Sequence, residues 1–156
     1  MNKKSLLSAL FAIVILISLP SFVIAEPKVH TVEMITEGGK KLFVPDFLEV
    51  SVGDIVRFVN ISGNHNTESI KGMIPQGAES WRSNISETFE LTIQKEGVYA
   101  YKCTPHLQKR MVGVIVAGNP AINLREAHKV AMGAKFSPKV SNAFAELLER
   151  IKTPTQ

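Results

Sequence analysis

One short stretch, YAYKCTPHLQKRMVG (Tyr99–Gly113), holds the only cysteine of the chain, and a histidine and a methionine follow it closely. Cys103, His106 and Met111 have the spacing C-x2-H-x4-M. The flanking runs GVYAYKC and MVGVIVAG read as strands, so the residues between them must turn the chain back on itself. Their side chains can then converge on one point, and Pro105 stiffens the turn by fixing its own backbone angle. Thiolate and thioether select soft ions, and imidazole suits copper. Two histidines, one cysteine and a long axial methionine form the donor set of type 1 copper. That set needs a second histidine, and the chain has His30, His65, His106 and His128. His128 lies in the helical tail and His30 opens the first strand. His65, in the loop SGNHNTES after the strand DIVRFVN, is the best placed, although a solvated loop histidine looks the same in isolation.

Other chemistries fit the spacing less well. Structural zinc prefers paired cysteines or more histidines, and methionine is a poor zinc ligand. A binuclear copper site would need a second cysteine, which the chain lacks. A Cys103–His106 nucleophile pair remains a possible reading, as does a buried, inert thiol.

The N-terminus bears on that thiol. MNKK is basic, SLLSALFAIVILISL is continuously apolar, and PSFVIA ends on a small residue. This order reads as a secretory signal over residues 1–25, cut after Ala25, with an uncleaved anchor as the alternative. In an oxidising compartment an unpaired cysteine cannot form an internal disulfide. Cleavage would remove Lys3 and Lys4 and lower the formal charge from +4 to +2. So mild a charge gives no reason to expect nucleic acid as a partner.

The elements that must position these residues follow from periodicity. Residues 28–118 read as a β-sandwich. FLEVSV puts Leu48, Val50 and Val52 on one face, and ETFELTI does the same with Phe89, Leu91 and Ile93. Gly38-Gly39, Gly53-Asp54, Ser62-Gly63 and Glu96-Gly97 punctuate the strands as turns. The pattern changes after Gly118, and residues 120–152 read as two helices. Asn119-Pro120 begins the first and Gly133 ends it, while Ser137-Pro138 begins the second. Val140, Phe144, Leu147, Leu148 and Ile151 form one apolar stripe, expected to pack on the sandwich. Trp81 reads as core or rim packing, and Met73 as packing rather than ligation. Asn60 and Asn84 each begin an NIS sequon, which would go unused if the chain were exported by a bacterium.

VYAYKCTPHLQKRMVGVIVAG resembles the copper loop of the cupredoxins. The upstream run NHNTESIKGMIPQGAESWRSNISETFELT resembles the pseudoazurins within them, through H-N-x-E-x-I-K-G-M-I-P-x-G-A-E. The resemblance spans nearly all of residues 26–156, tail included. Plastocyanin shares the loop spacing but ends at its last strand. Amicyanin has a shorter His-to-Met spacing and azurin a longer Cys-to-His one.

The resemblance implies an all-β, cupredoxin-type Greek-key sandwich or barrel with a two-helix C-terminal extension. It implies one copper ion held by His65, Cys103 and His106, with Met111 as the weak axial ligand and the Asn66 N–H on the Cys103 sulfur. It further implies a periplasmic one-electron carrier, monomeric and not an enzyme, with no stable membrane association once the signal is removed. Copper nitrite reductase and similar enzymes would be its partners. Docking would use an apolar patch around His106, with Pro105, Leu107 and Met73, inside a basic surround of Lys71, Lys102, Lys109 and Arg110. A carrier or store that delivers copper rather than electrons is the alternative, and a metal-free binding module is a third. Two departures stand out. Leu107-Gln108-Lys109-Arg110 replaces the small or apolar residues common between the histidine and the axial methionine. Asn64 precedes His65 where glycine is frequent.

Overall fold

The computed structural model describes residues 26–152. The signal expected over residues 1–25 lies outside the described residues. Among those described, no helix is long and apolar enough to cross a membrane.

Eight strands run β1 (Val29–Glu37), β2 (Lys40–Val44), β3 (Phe47–Val50), β4 (Ile55–Asn60), β5 (Glu68–Ser69), β6 (Phe89–Thr92), β7 (Gly97–Lys102) and β8 (Val112–Ala117). They form two four-stranded sheets, ordered β2-β1-β4-β6 and β3-β8-β7-β5. β1 and β4 are parallel, as are β3 and β8, and the remaining neighbours are antiparallel. The antiparallel pair β7–β8 brackets the C-x2-H-x4-M loop, as its flanking runs suggested.

The alternation along β7 and β8 explains why both sequences look uniformly apolar. Tyr99, Tyr101, Cys103, Ile115 and Ala117 face the opposite sheet, with Val32, Met34, Phe43 and Phe58. Val98, Ala100, Val112, Val114 and Val116 face the other way, onto the C-terminal helices. A strand buried on both faces reads as a continuous hydrophobic run. At β8, Gly113 sits opposite Tyr101. A Cβ there would lie 2.3 Å from Tyr101 Cζ, so only glycine admits the ring.

Leu48, Val50, Phe89 and Leu91 pack toward the sandwich core as their periodicity predicts, and Ile93 is fully buried. Val52 does not: it follows the end of β3 and is 47% exposed.

The tail differs from expectation in one place. The first helix is split into a 3₁₀ turn, Pro120–Ile122, and α1 (Leu124–Ala131). Asn119 accepts the Ala121 N–H at 3.0 Å, so the expected cap closes only the short turn. Asn123 breaks the continuation because its side chain is used elsewhere. Its Oδ1 accepts the Val98 N–H at 2.7 Å and its Nδ2 donates to the Val98 carbonyl at 2.8 Å. α2 (Pro138–Leu148) begins at Ser137-Pro138 as expected. Its stripe of Val140, Phe144, Leu147 and Leu148, extended by Ile151, is buried on the outer face of the β7–β8 sheet.

Candidate metal centre

Cys103 follows the last residue of β7 and Met111 precedes the first of β8. The Cys103 N–H donates to the Met111 carbonyl at 3.0 Å, so the two are held side by side where the strands part. Between them the chain makes a tight double-back. The His106 N–H donates to the Cys103 carbonyl at 3.2 Å, and the His106 carbonyl accepts from Lys109 at 2.9 Å and Met111 at 3.3 Å. Leu107–Lys109 form one 3₁₀ turn, and Arg110 exits it at φ 67°, in the left-handed region that most side chains avoid.

The residues LQKR fasten this turn to the second helix. Leu107 packs into the core beneath α2. Gln108 Oε1 accepts from Ser137 Oγ at 3.1 Å, and Arg110 pairs with Glu146 at 2.6 Å. Three of the four residues are thus tied to this helix, and only Lys109 makes no such tie among the described residues.

His65 arrives from the loop after β4, and His30 and His128 do not approach the site. His65 Nδ1 lies 3.1 Å from His106 Nδ1. Cys103 Sγ lies 3.8 Å from the first nitrogen and 3.4 Å from the second. One small ion in the plane of these donors, at about 2.0 Å from nitrogen and about 2.3 Å from sulfur, would space the nitrogens about 3.5 Å apart and each nitrogen about 3.7 Å from sulfur. The observed triangle fits a single shared ion of that size. His65, Cys103 and Met111 are buried, while His106 is half-buried and reaches the surface.

The surroundings hold the donors in place. His65 Nε2 is 3.0 Å from Thr36 Oγ1, at the far end of β1, which leaves Nδ1 to face the other two donors. Lys41 Nζ donates to the same Thr36 oxygen at 3.0 Å. Gly63 permits this approach: at φ 87° its added Cβ would meet Thr36 Oγ1 at 2.8 Å and His65 Nε2 at 3.0 Å. Asn66 joins the two ligand loops. Its Oδ1 accepts the Thr104 N–H at 2.7 Å and its Nδ2 donates to Thr104 Oγ1 at 3.0 Å. Thr104 Oγ1 in turn donates to Glu68 Oε2 at 2.6 Å. The Asn66 backbone N–H reaches the Cys103 sulfur, as the resemblance implied.

Burial sets the protonation states. It lowers the pKa of His65 below the ordinary histidine value, helped by His106 and Lys41. Burial also lowers that of His106, helped by Lys41 and Lys109. Burial raises the Cys103 thiol, while N–H donors from Asn66 and His106 partly oppose the rise. The metal-free centre at neutral pH is therefore two neutral imidazoles and a thiol, and a metal ion must displace the thiol proton.

The docking residues separate. Pro105 is exposed and Leu107 half-buried, but Met73 is fully buried in the core under the helices and cannot belong to a surface patch. The turn after Gly72 folds it inward, where its N–H donates to the Ile70 carbonyl at 2.9 Å. Trp81 is core, with Nε1 donating to Thr67 Oγ1 at 3.1 Å. Lys102 pairs with Glu68 at 3.6 Å and Arg110 with Glu146. Lys71 and Lys109 have no carboxylate at ion-pair distance among the described residues.

The copper-binding plastocyanin/azurin family matches residues 30–118, the whole of the sandwich from β1 onward. The chain belongs to that family. The pseudoazurin of Paracoccus pantotrophus is 36% identical over 120 residues, covering 76% of this chain and 83% of that protein. Solved pseudoazurins are similar in three dimensions. That of Methylobacterium extorquens AM1 has a TM-score of 0.73 at 29% identity, covering 80% of this chain and 100% of that one. That of Hyphomicrobium denitrificans has a TM-score of 0.71 at 28% identity, covering 80% and 99%. The cupredoxin fold and the pseudoazurin resemblance are thus borne out, and copper is the metal of this family.

Thr36 and Lys41 gave no signal in the sequence. They reach the centre from β1 and β2, and polar residues of these types on a strand are ordinary. Thr104 and Glu68 lie inside the two runs that carry the resemblance, but their link to each other and to Asn66 shows only in the structure.

Proposed function

We propose that this chain is a one-electron carrier of the bacterial periplasm, with copper held by His65, Cys103 and His106 and more weakly by Met111. The observation that carries the reading is the buried triangle of two imidazoles and a thiol with 3.1–3.8 Å edges, open to the surface only through His106. Copper, when bound, supplies the Cu(II)/Cu(I) couple. The chain keeps the donors nearly fixed: Thr36 orients His65, Asn66 ties the two loops, and α2 holds the turn that carries His106. A centre that does not rearrange between oxidation states exchanges electrons with little reorganisation. The half-buried His106 ring, beside exposed Pro105, gives a partner close access without opening the site.

Electron-accepting enzymes such as copper nitrite reductase are the proposed partners. The association is transient and assisted by surface cations around the His106 face, among them Lys71, Lys102, Lys109 and Arg110. Export under the N-terminal signal places the carrier with such enzymes, and a monomer suffices for the exchange.

Visible and EPR spectra of the copper-loaded protein, together with its electron exchange with copper nitrite reductase, test this. The expected result is an intense thiolate-to-copper absorption and fast exchange. A colourless copper complex overturns the ligand set. A coloured complex that passes copper to an apo acceptor but exchanges no electrons favours the delivery reading.

A further inference from the structure

Beside the centre lies a cleft of about 460 Å³ whose walls carry Lys40, Lys41, Lys109, Arg110 and Lys139. Its one acid, Asp46, is paired with Arg150 at 2.8 Å, and Arg110 is paired with Glu146. Lys40, Lys41, Lys109 and Lys139 therefore face one space without a carboxylate partner among the described residues. Lys102 and Arg82, on the other flank, already share Glu68 at 3.6 and 3.9 Å. The concentrated free positive charge next to the centre is on the cleft side.

Lys41 connects this cleft to the metal ligands. It lines the cleft, and its ammonium donates at 3.0 Å to Thr36 Oγ1, which is 3.0 Å from His65 Nε2. A positive charge two hydrogen bonds from a ligand disfavours the more positive oxidation state and raises the reduction potential. A carboxylate seated against Lys41 would screen that charge or draw it away.

We propose that the Lys40/Lys41/Lys109/Lys139 cleft receives an acidic segment of a protein redox partner, and that its docking lowers the potential of the centre through Lys41, Thr36 and His65. The proposal rests on the electron-carrier reading. It means that the reduced carrier becomes a better donor when the partner engages. Linkage requires the reverse as well: the oxidised protein binds the acidic segment more tightly than the reduced protein, by the same factor. Electrons balance simply, since the bound carrier gives one electron to the partner and no proton or bond is involved.

The test uses copper-loaded protein and a tetra-aspartate peptide as the probe, with midpoint potentials from spectroelectrochemistry and affinities from calorimetry in both oxidation states. Without peptide, Lys41→Gln is expected to shift the one-electron equilibrium about tenfold toward the oxidised form, about 59 mV. Lys41→Arg keeps the wild-type potential, and Lys129→Gln, which removes a charge on α1 away from the cleft, changes neither potential nor affinity. The peptide lowers the wild-type potential more than sodium chloride at matched ionic strength, and this excess vanishes in Lys41→Gln. An unchanged potential in Lys41→Gln, an excess that persists in it, or equal affinities of the two oxidation states overturns the coupling. Unaltered peptide binding in Lys40→Gln/Lys139→Gln overturns the cleft. If the copper protein lacks the intense absorption, the carrier reading fails instead, and calorimetry still decides whether the cleft binds the peptide.

Discussion

Strand β1 reaches a histidine contact at each end, and the two are chemically opposite. At its start, His30 Nε2 lies 2.8 Å from Asp54 Oδ2. That carboxylate also accepts backbone N–H groups of Lys28 and Ser51, each at 3.0 Å. Every strong acceptor there is already used, the donors are hard, and the cluster locks the end of the sandwich. At the other end, Thr36 takes one nitrogen of His65 and leaves the second facing a thiol and another imidazole. The network there holds soft donors apart from one another instead of satisfying them mutually. A polar histidine cluster becomes a metal centre when its neighbours orient it without consuming its lone pair.

The largest test of this contrast removes one donor from each end. Cys103→Ala is expected to abolish the intense visible absorption of the copper protein, while His30→Ala leaves it intact. An unchanged spectrum in Cys103→Ala would erase the distinction.

A glycine beside each cluster gives a second comparison. Gly63→Ala forces a Cβ to 2.8 Å from Thr36 Oγ1 at φ 87°. It is expected to cost about 3 kcal/mol in denaturant unfolding and to alter the copper spectrum. Gly53→Ala, at φ 97° with no atom within 4 Å, meets only backbone strain. Its expected cost is about 1 kcal/mol, with the spectrum unchanged.

The link between the ligand loops carries the next effect. Asn66→Ala leaves the half-buried Thr104 N–H without its acceptor and is expected to cost about 1 kcal/mol. It should also broaden the EPR lines of the copper protein, because the Cys103 loop loses its tie to the His65 loop.

The smallest effect separates the ends by pH. The Ser51 and Lys28 N–H groups and His30 lower the Asp54 pKa from 3.8 to about 2. The folded carboxyl thus takes up its proton at lower pH than the unfolded one. Its contribution to stability is complete above about pH 4 and is lost as pH falls toward about 2. Acid titration of the wild type and Asp54→Asn, followed by circular dichroism, is expected to show a shallower stability loss in the variant over that window.

Much of the centre was legible in the sequence because chain locality does the geometric work. Cys103, His106 and Met111 lie on one reversal between two strands, so their convergence follows from the hairpin. The stripe of α2 was legible for the same reason, since helical spacing puts Val140, Phe144 and Leu147 on one side. Met73 and Asn123 were misread because their roles depend on distant partners. Met73 looked like a surface neighbour of the loop, and the turn after Gly72 sends it into the core. Asn123 looked like the interior of a helix, and the backbone of Val98 claims its side chain.

The sequence alone pointed to the metal chemistry, because donor type and spacing on a single loop narrow which ion can be held. It also determined the layered fold, because periodicity fixes which face of each strand and helix is apolar. The sequence also favoured His65 as the second histidine, and the tertiary structure decided which nitrogen it presents, since Thr36 meets His65 through the register of β1. The tertiary structure alone decided that LQKR anchors to α2 and that Lys41 stands two hydrogen bonds from the centre. These depend on residues far apart in the chain, and no local pattern records a distance closed only by packing.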